Sequence, residues 1–231
     1  MRPAPYDHRV RFVELTKLGR TERAELDRHS DELAWSILEP LSEDQRARLI
    51  EAMATVEKLL TEALVDLRVE DPESRAALYC MNNYYAELDT RFDAGFHPER
   101  SLTVASDDLN GHSGLLLVAY LRNEPVGCGA ILFQSQTLAM VKRMWVAPEA
   151  RGLGIGRRIL ADLEDRARSR GIKTLRLDTN RRLEEAINLY QTSGFHEVSA
   201  FTNEPYAHHW FEKPLSKSTP TPRKSVKAKR K

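Results

Sequence analysis

The stretch VAPEARGLGIGRRIL, residues 146–160, sets glycines at 152, 154 and 156 between arginine-bearing flanks. Ile159 and Leu160 already follow helical spacing, so the glycines stand at the mouth of a helix. A helix N-terminus offers unpaired N–H groups and a partial positive charge. Phosphates settle there when no Cβ blocks the backbone. Arg151, Arg157 and Arg158 add formal charge. The loop reads as a pyrophosphate holder; a merely flexible helix entry is the plain alternative. A P-loop needs Gly-Lys-Ser/Thr, and here Gly156 is followed by Arg157-Arg158. A dinucleotide turn needs GxGxxG directly after its strand and an acid about 20 residues on. Asp178 lies at that distance, but the third glycine position falls on Ile159 or Arg157, and Pro148 to Arg151 part the glycines from the strand.

Working outward, the helix runs over about 156–170 and stops at Gly171. KTLRLDT is a strand. Leu183, Ala186, Ile187 and Tyr190 share one face of a helix over about 183–192, ended by Gly194. FHEVS and YAHHWFEK are final strands. Upstream, GLLLVAYLR, PVGCGAILF and LAMVKRMWV, parted by turns at 122–125 and 134–137, predict an antiparallel meander. VDLRVE, from 65, alternates as a strand. Asp71-Pro72-Glu73 reads as the start of a helix, Asp as cap and Pro in the first turn, running to about Phe92 with Gly95 as stop.

The glycine loop VAPEARGLGIG resembles the Arg/Gln-x-x-Gly-x-Gly/Ala signature of the GNAT acetyltransferases. EAINLYQTSGF resembles that family's Ala-x-x-Leu-Tyr-x-x-x-Gly-Phe segment, and the order of elements from 65 to 213 fits its fold. The resemblance implies an α+β chain: a mixed, mostly antiparallel sheet flanked by helices, here preceded by a helical arm. It implies acetyl-CoA as co-substrate, an amine acceptor and no metal. Met144, Trp145 and Val146 would lie along the pantetheine between two splayed strands. Arg151, Gly152, Leu153, Gly154, Ile155, Gly156 and Arg157 would hold the pyrophosphate. Tyr190 matches the acid that protonates the departing thiolate, and the Val146 N–H matches the oxyanion donor. Many members carry Asn where Leu183 stands; Asn180 or Asn188 could supply that contact.

An amine of pKa about 10 is mostly protonated near neutral pH, so direct transfer needs a base. Candidates are Glu204, His208, His209, Asp178 and Glu87, with Glu204 the choice carried forward. In a strand His208 and His209 face opposite ways. Tyr84, Glu87 and Arg91 share one side of the helix after Pro72 and are candidates for the acceptor cleft with His209; ordinary packing is the plain reading of each. No residue pattern argues for a covalent acyl-enzyme.

Residues 1–63 differ. GRTERAELDRHSDELAWSILEPL and SEDQRARLIEAMATVEKLLTEAL are two charged helices near 17–38 and 43–63, the second capped by Ser42. DHRVRFVELTKLGR resembles the second wing strand of MarR-type winged-helix regulators, and the two helices resemble that family's dimerisation helices. The resemblance implies a partial MarR–GNAT fusion with its recognition helix upstream of Met1, and a homodimer through residues 17–63, the alternative being that these helices fold back on their own acetyltransferase domain. It keeps a second function in view: a regulator-derived protein whose acetyltransferase fold senses acetyl-CoA or another ligand.

The chain has 231 residues, 41% hydrophobic and 30% charged, with net charge +1. That is ordinary for a globular protein and unlike a polyanion binder as a whole. Seven Lys or Arg and no acid fall between Lys217 and Lys231. This Ser/Thr/Pro/Lys-rich stretch reads as a disordered basic tail, solubilising or adding weak, salt-sensitive nucleic-acid contact. Two cysteines without metal or disulfide spacing, no apolar run of about 18 residues and no signal-peptide core predict a cytoplasmic protein without membrane contact.

Overall fold

The computed structural model describes residues 2–4, 7–12, 14–102 and 106–215. The basic tail lies outside the described residues. Contacts divide the chain into two units, Met1–Val56 and Glu57–Lys231.

In the first unit, β1 (Arg2–Ala4) and β2 (Asp7–Phe12) pair antiparallel. α1 spans Lys17–Leu38 and is capped by Thr16, whose Oγ1 accepts the Gly19 N–H at 3.1 Å. α2 (Glu43–Leu64) begins in this unit and ends in the other. Ser42 and Gln45 form a reciprocal cap. The Gln45 N–H donates to Ser42 Oγ at 3.3 Å, and the Ser42 N–H donates to Gln45 Oε1 at 2.9 Å. Neither helix buries a residue: Leu26, Leu33, Trp35, Ile37, Ile50 and Met53 are all exposed.

The second unit is built on β3 (Val65–Glu70), α3 (Arg75–Arg91), β4 (Gly114–Leu121), β5 (Glu124–Phe133), β6 (Leu138–Val146), α4 (Ile155–Ser169), β7 (Thr174–Thr179), α5 (Glu184–Thr192), β8 (His196–Val198) and β9 (His209–Pro214). One sheet takes the order β3-β4-β5-β6-β7-β9-β8. Among the described residues only β6 and β7 pair in parallel. Arg122 and Asn123, both at positive φ, make the tight turn between β4 and β5. Two expectations shift. Asp71 spends its carboxylate on the Glu73 N–H at 2.8 Å, so Ser74 becomes the α3 cap by accepting from the Ala77 N–H. β9 begins at His209, which leaves His208 outside it, its N–H bonded to the Thr179 carbonyl.

Alternation along β5 places a helix on each face. Gly127 and Gly129 meet Ile159 of α4, while Cys128 between them lies beside Cys80 of α3. Ile159, Leu160, Leu163 and Ala167 of α4 and Ala77, Cys80, Met81 and Leu88 of α3 are buried against the sheet. Opposite Gly129, β6 carries one extra residue: Cys128 pairs Trp145 but Ala130 pairs Lys142. Arg143, in this bulge, takes φ +55°, and its carbonyl accepts the Cys128 thiol at 3.3 Å.

A Cβ on Gly129 would stand 2.6 Å from both Ile159 Cγ2 and Met144 Sδ. Gly129→Ala therefore lowers stability by about 1–3 kcal/mol through forced repacking. Urea unfolding reads this as a lower midpoint at constant slope. An unchanged midpoint would mean that the α4 packing does not depend on this glycine.

Candidate active site

The ladder between β6 and β7 holds for three pairs, Leu138 with Thr174, Ala139 with Leu175 and Met140 with Arg176, and then stops. Past Met140 the strands diverge, and the bulge at Arg143 turns β6 further. Lys142 spans the start of the gap, its Nζ at 2.8 and 2.9 Å from the two oxygens of Asp178. Both groups are largely buried, so each offsets the other's desolvation.

Two cavities open from the divergence. One, about 690 Å³, includes Met144, Trp145, Val146, the loop from Ala150 to Arg157 except Leu153, and α5. The other, about 170 Å³, lies toward the end of α3, the 92–102 segment and Glu204. Tyr84, Leu88, Met144, Leu183, Ala186 and Tyr190 line both, so the cavities meet at these side chains. Tyr190 is 5% exposed. Burial, with the Asp178 carboxylate adding to it, pushes its hydroxyl well above the ordinary phenol range. Burial does the same to Tyr84. Two protonated phenols thus stand at the junction.

On the larger side, Gly154 caps α4 at φ +74°, a conformation costly for any residue with a Cβ. A Cβ there would collide with the carboxylate of Glu62, from the last turns of α2. Arg158 donates to the Glu62 carbonyl, and Lys58 and Glu62 both line this cavity. A carboxylate thus stands against the positive end of α4, the electrostatics that any anion would meet there. The spacing of residues 43–64 gave no sign of this, because a charged side chain near the end of an amphipathic helix looks solvated.

Glu87 is the fastening point of the loop. Its Oε2 accepts Trp145 Nε1–H at 2.9 Å and Arg151 at 2.5 Å, and its Oε1 accepts Arg91 at 3.0 Å. Arg91 also reaches Glu185 at 2.7 Å and holds that carboxyl below its usual range. With three charged or polar donors on it, Glu87 holds other groups in place, and both it and Arg91 border the larger cavity, not the smaller. Arg151 is further tied by Nε–H to the Val146 carbonyl at 3.0 Å.

On the smaller side, Glu204 is 9% exposed. Its Oε2 accepts the Ser101 hydroxyl at 2.9 Å and the Leu102 N–H at 2.8 Å, and its Oε1 accepts the Tyr206 N–H at 3.3 Å. Asn180, considered for the cofactor, borders this cavity instead: it donates to the Tyr206 carbonyl and accepts from the Arg182 N–H. His209, considered for the acceptor, lines neither cavity; its Nδ1 lies 2.7 Å from Glu197 Oε1 of the neighbouring strand. Phe92, Phe96 and Tyr206 were not foreseen. They come from segments more than a hundred residues apart, and no local pattern joins them. Lys142 left one signal, a charge that with Arg143 interrupts an otherwise apolar strand run.

Among the described residues, no group of three His, Cys, Asp or Glu could hold a metal ion, and no helix is long and apolar enough to cross a membrane. Residues 81–195 match the Acetyltransferase (GNAT) family. The chain is 39% identical over 118 residues to an IAA acetyltransferase of Azospirillum brasilense, a match covering 49% of this chain and 72% of that protein. It is 34% identical over 100 residues to an uncharacterised N-acetyltransferase of Schizosaccharomyces pombe, covering 42% of this chain and 57% of that one. Among solved structures it is similar to one from Klebsiella pneumoniae assigned as an acyl-CoA N-acyltransferase, with TM-score 0.54, 27% identity, and 67% and 99% of the two chains covered. It shares its fold with an acetyltransferase of GNAT family from Staphylococcus aureus, with TM-score 0.55, 16% identity, and 66% and 99% covered. Taken with the divergent strands and the glycine-lined helix mouth, the matches show that the chain belongs to the GNAT family of acetyltransferases.

Proposed function

We infer that the protein moves the acetyl group of acetyl-CoA directly to an amine. The observation that carries this is the junction at Tyr84, Met144 and Tyr190. There a groove ending in an anion-attracting helix mouth meets a small pocket. On this reading the pyrophosphate lies against residues 152–157 and the pantetheine along Met144, Trp145 and Val146. The thioester then sits at the junction. The amine nitrogen bonds to the carbonyl carbon, and the Val146 N–H receives the developing oxyanion. The carbon–sulfur bond breaks, and Tyr190 gives its proton to the thiolate; its raised pKa keeps that proton available. Glu204 serves as base. A carboxylate has about four acceptor sites, and three donors occupy three of them here, which leaves one for the amine or a bridging water.

Glu62 stands where the phosphates would lie, so cofactor binding displaces it. Two substitutions then move acetyl-CoA affinity in opposite directions. Gly154→Val weakens it at least about tenfold by blocking backbone approach and straining φ. Glu62→Gln strengthens it several-fold, in line with an electrostatic contribution of about 0.3–1 kcal/mol at a helix terminus. Calorimetry on folded variants checks both; equal affinities would remove the loop from the cofactor site.

Tyr190→Phe lowers kcat about 10²–10⁴-fold with little change in acetyl-CoA affinity. Steady-state rates of thiol release on an accepted amine measure this. Full kcat in the variant would leave the tyrosine a packing role.

The first unit reads as a pairing module, in keeping with its resemblance to dimerisation helices. Two helices of 22 residues that bury nothing leave an apolar stripe of the kind that usually finds a partner. Light scattering at tens of micromolar returns twice the 26.4 kDa chain mass, and Ile50→Lys with Met53→Lys returns it to one. A monomeric wild type would end this assignment.

A further inference from the structure

We propose that the acceptor is a small primary amine carried on one six-membered ring or an equally compact apolar body, as in an arylalkylamine. This rests on the transfer reading above and concerns the smaller cavity alone. Its volume is about 170 Å³. An apolar cavity of about 150 Å³ holds one benzene. Rings supply one wall. Tyr85 stacks on Phe96 with centroids 5.6 Å apart, Phe96 meets Tyr206 at 4.9 Å, and Tyr206 meets Phe92 at 5.6 Å. Tyr206 is braced, its hydroxyl accepting the His97 N–H at 3.0 Å. The charged and amide side chains that border the space already have partners. Lys142 holds Asp178, the 101–102 backbone and side chain hold Glu204, and Asn180 bridges Tyr206 and Arg182. A carboxylated body would have to break these pairs. A ring needs only the aromatic faces, and the entering ammonium gains from the same faces and from the remaining acceptor position of Glu204. The charges that border the cavity, Lys142 and Arg143 against Asp178 and Glu204, cancel, so nothing calls for an acceptor with a second charge.

Thiol release from acetyl-CoA with four amines tests this: 2-phenylethylamine, 2-(1-naphthyl)ethylamine, ethanolamine and a short lysine peptide. Acetyl-CoA binding is measured separately by calorimetry. The expected result is a kcat/KM for 2-phenylethylamine about a hundredfold above ethanolamine and the peptide, the factor that burial of one ring supplies. The two-ring amine falls well below the one-ring amine, and Phe96→Ala narrows or reverses that gap. A peptide or ethanolamine preferred over 2-phenylethylamine overturns the acceptor class and leaves the transferase standing. The same ring preference in Phe96→Ala as in the wild type overturns the role of this wall. Acetyl-CoA binding without turnover of any amine overturns the acceptor class, and absence of binding overturns the transfer reading as well.

Discussion

Three residue pairs hold β6 to β7, and the site exists because the ladder goes no further. A fourth and fifth pair would seal the sheet and leave no space between Met144 and α5. The chain prevents this on both sides of β6. Toward β5, the extra residue at Arg143 turns the strand, and the bare backbone of Gly129 gives Met144 and Ile159 room. Toward β7, the Lys142–Asp178 pair spans the start of the gap with side chains in place of backbone hydrogen bonds. Unpaired strand edges in a protein interior are costly unless something satisfies them. An extended, amide-bearing arm such as pantetheine is suited to that role, which ties this break in the ladder to the proposed chemistry.

The groups around the cleft divide into those proposed to react and those that hold. Glu87 draws Trp145, Arg151 and Arg91 onto one carboxylate, so α3, β6 and the glycine loop share a single fastening. Tyr190 is held inside the junction by burial, and that same burial keeps it protonated. The Glu62 carboxylate stands beside Gly154 at the mouth of α4, so the positive end of that helix already faces an anion.

The sequence made the meander, the glycine loop, α4 and α5 legible, because each is written in local periodicity and punctuated by Gly or Pro. The loop residues other than Leu153, with Met144, Trp145, Val146, Tyr84 and Tyr190, fall around the cleft for that reason. What escaped the reading is non-local or competitive. Asp71 and Ser74 are both capable caps three residues apart, and the contest was settled by the Asx turn at Glu73. His209 was read correctly as a strand residue, but which neighbour it faces depends on β8, three residues long and paired only along one edge. Phe92, Phe96 and Tyr206 meet only after the sheet has brought the 92–102 segment against the turn before β9, and nothing in their local context forecasts that.

The most direct measurement of the central claim is a crystal structure of the full chain with acetyl-CoA. The account predicts pantetheine density between the diverging ends of β6 and β7, the pyrophosphate against Gly154 and Gly156 with the Glu62 carboxylate moved aside, and the thioester carbonyl between Val146 and Tyr190. Density for the cofactor elsewhere, with Glu62 still over Gly154 and the cleft unfilled, would contradict it.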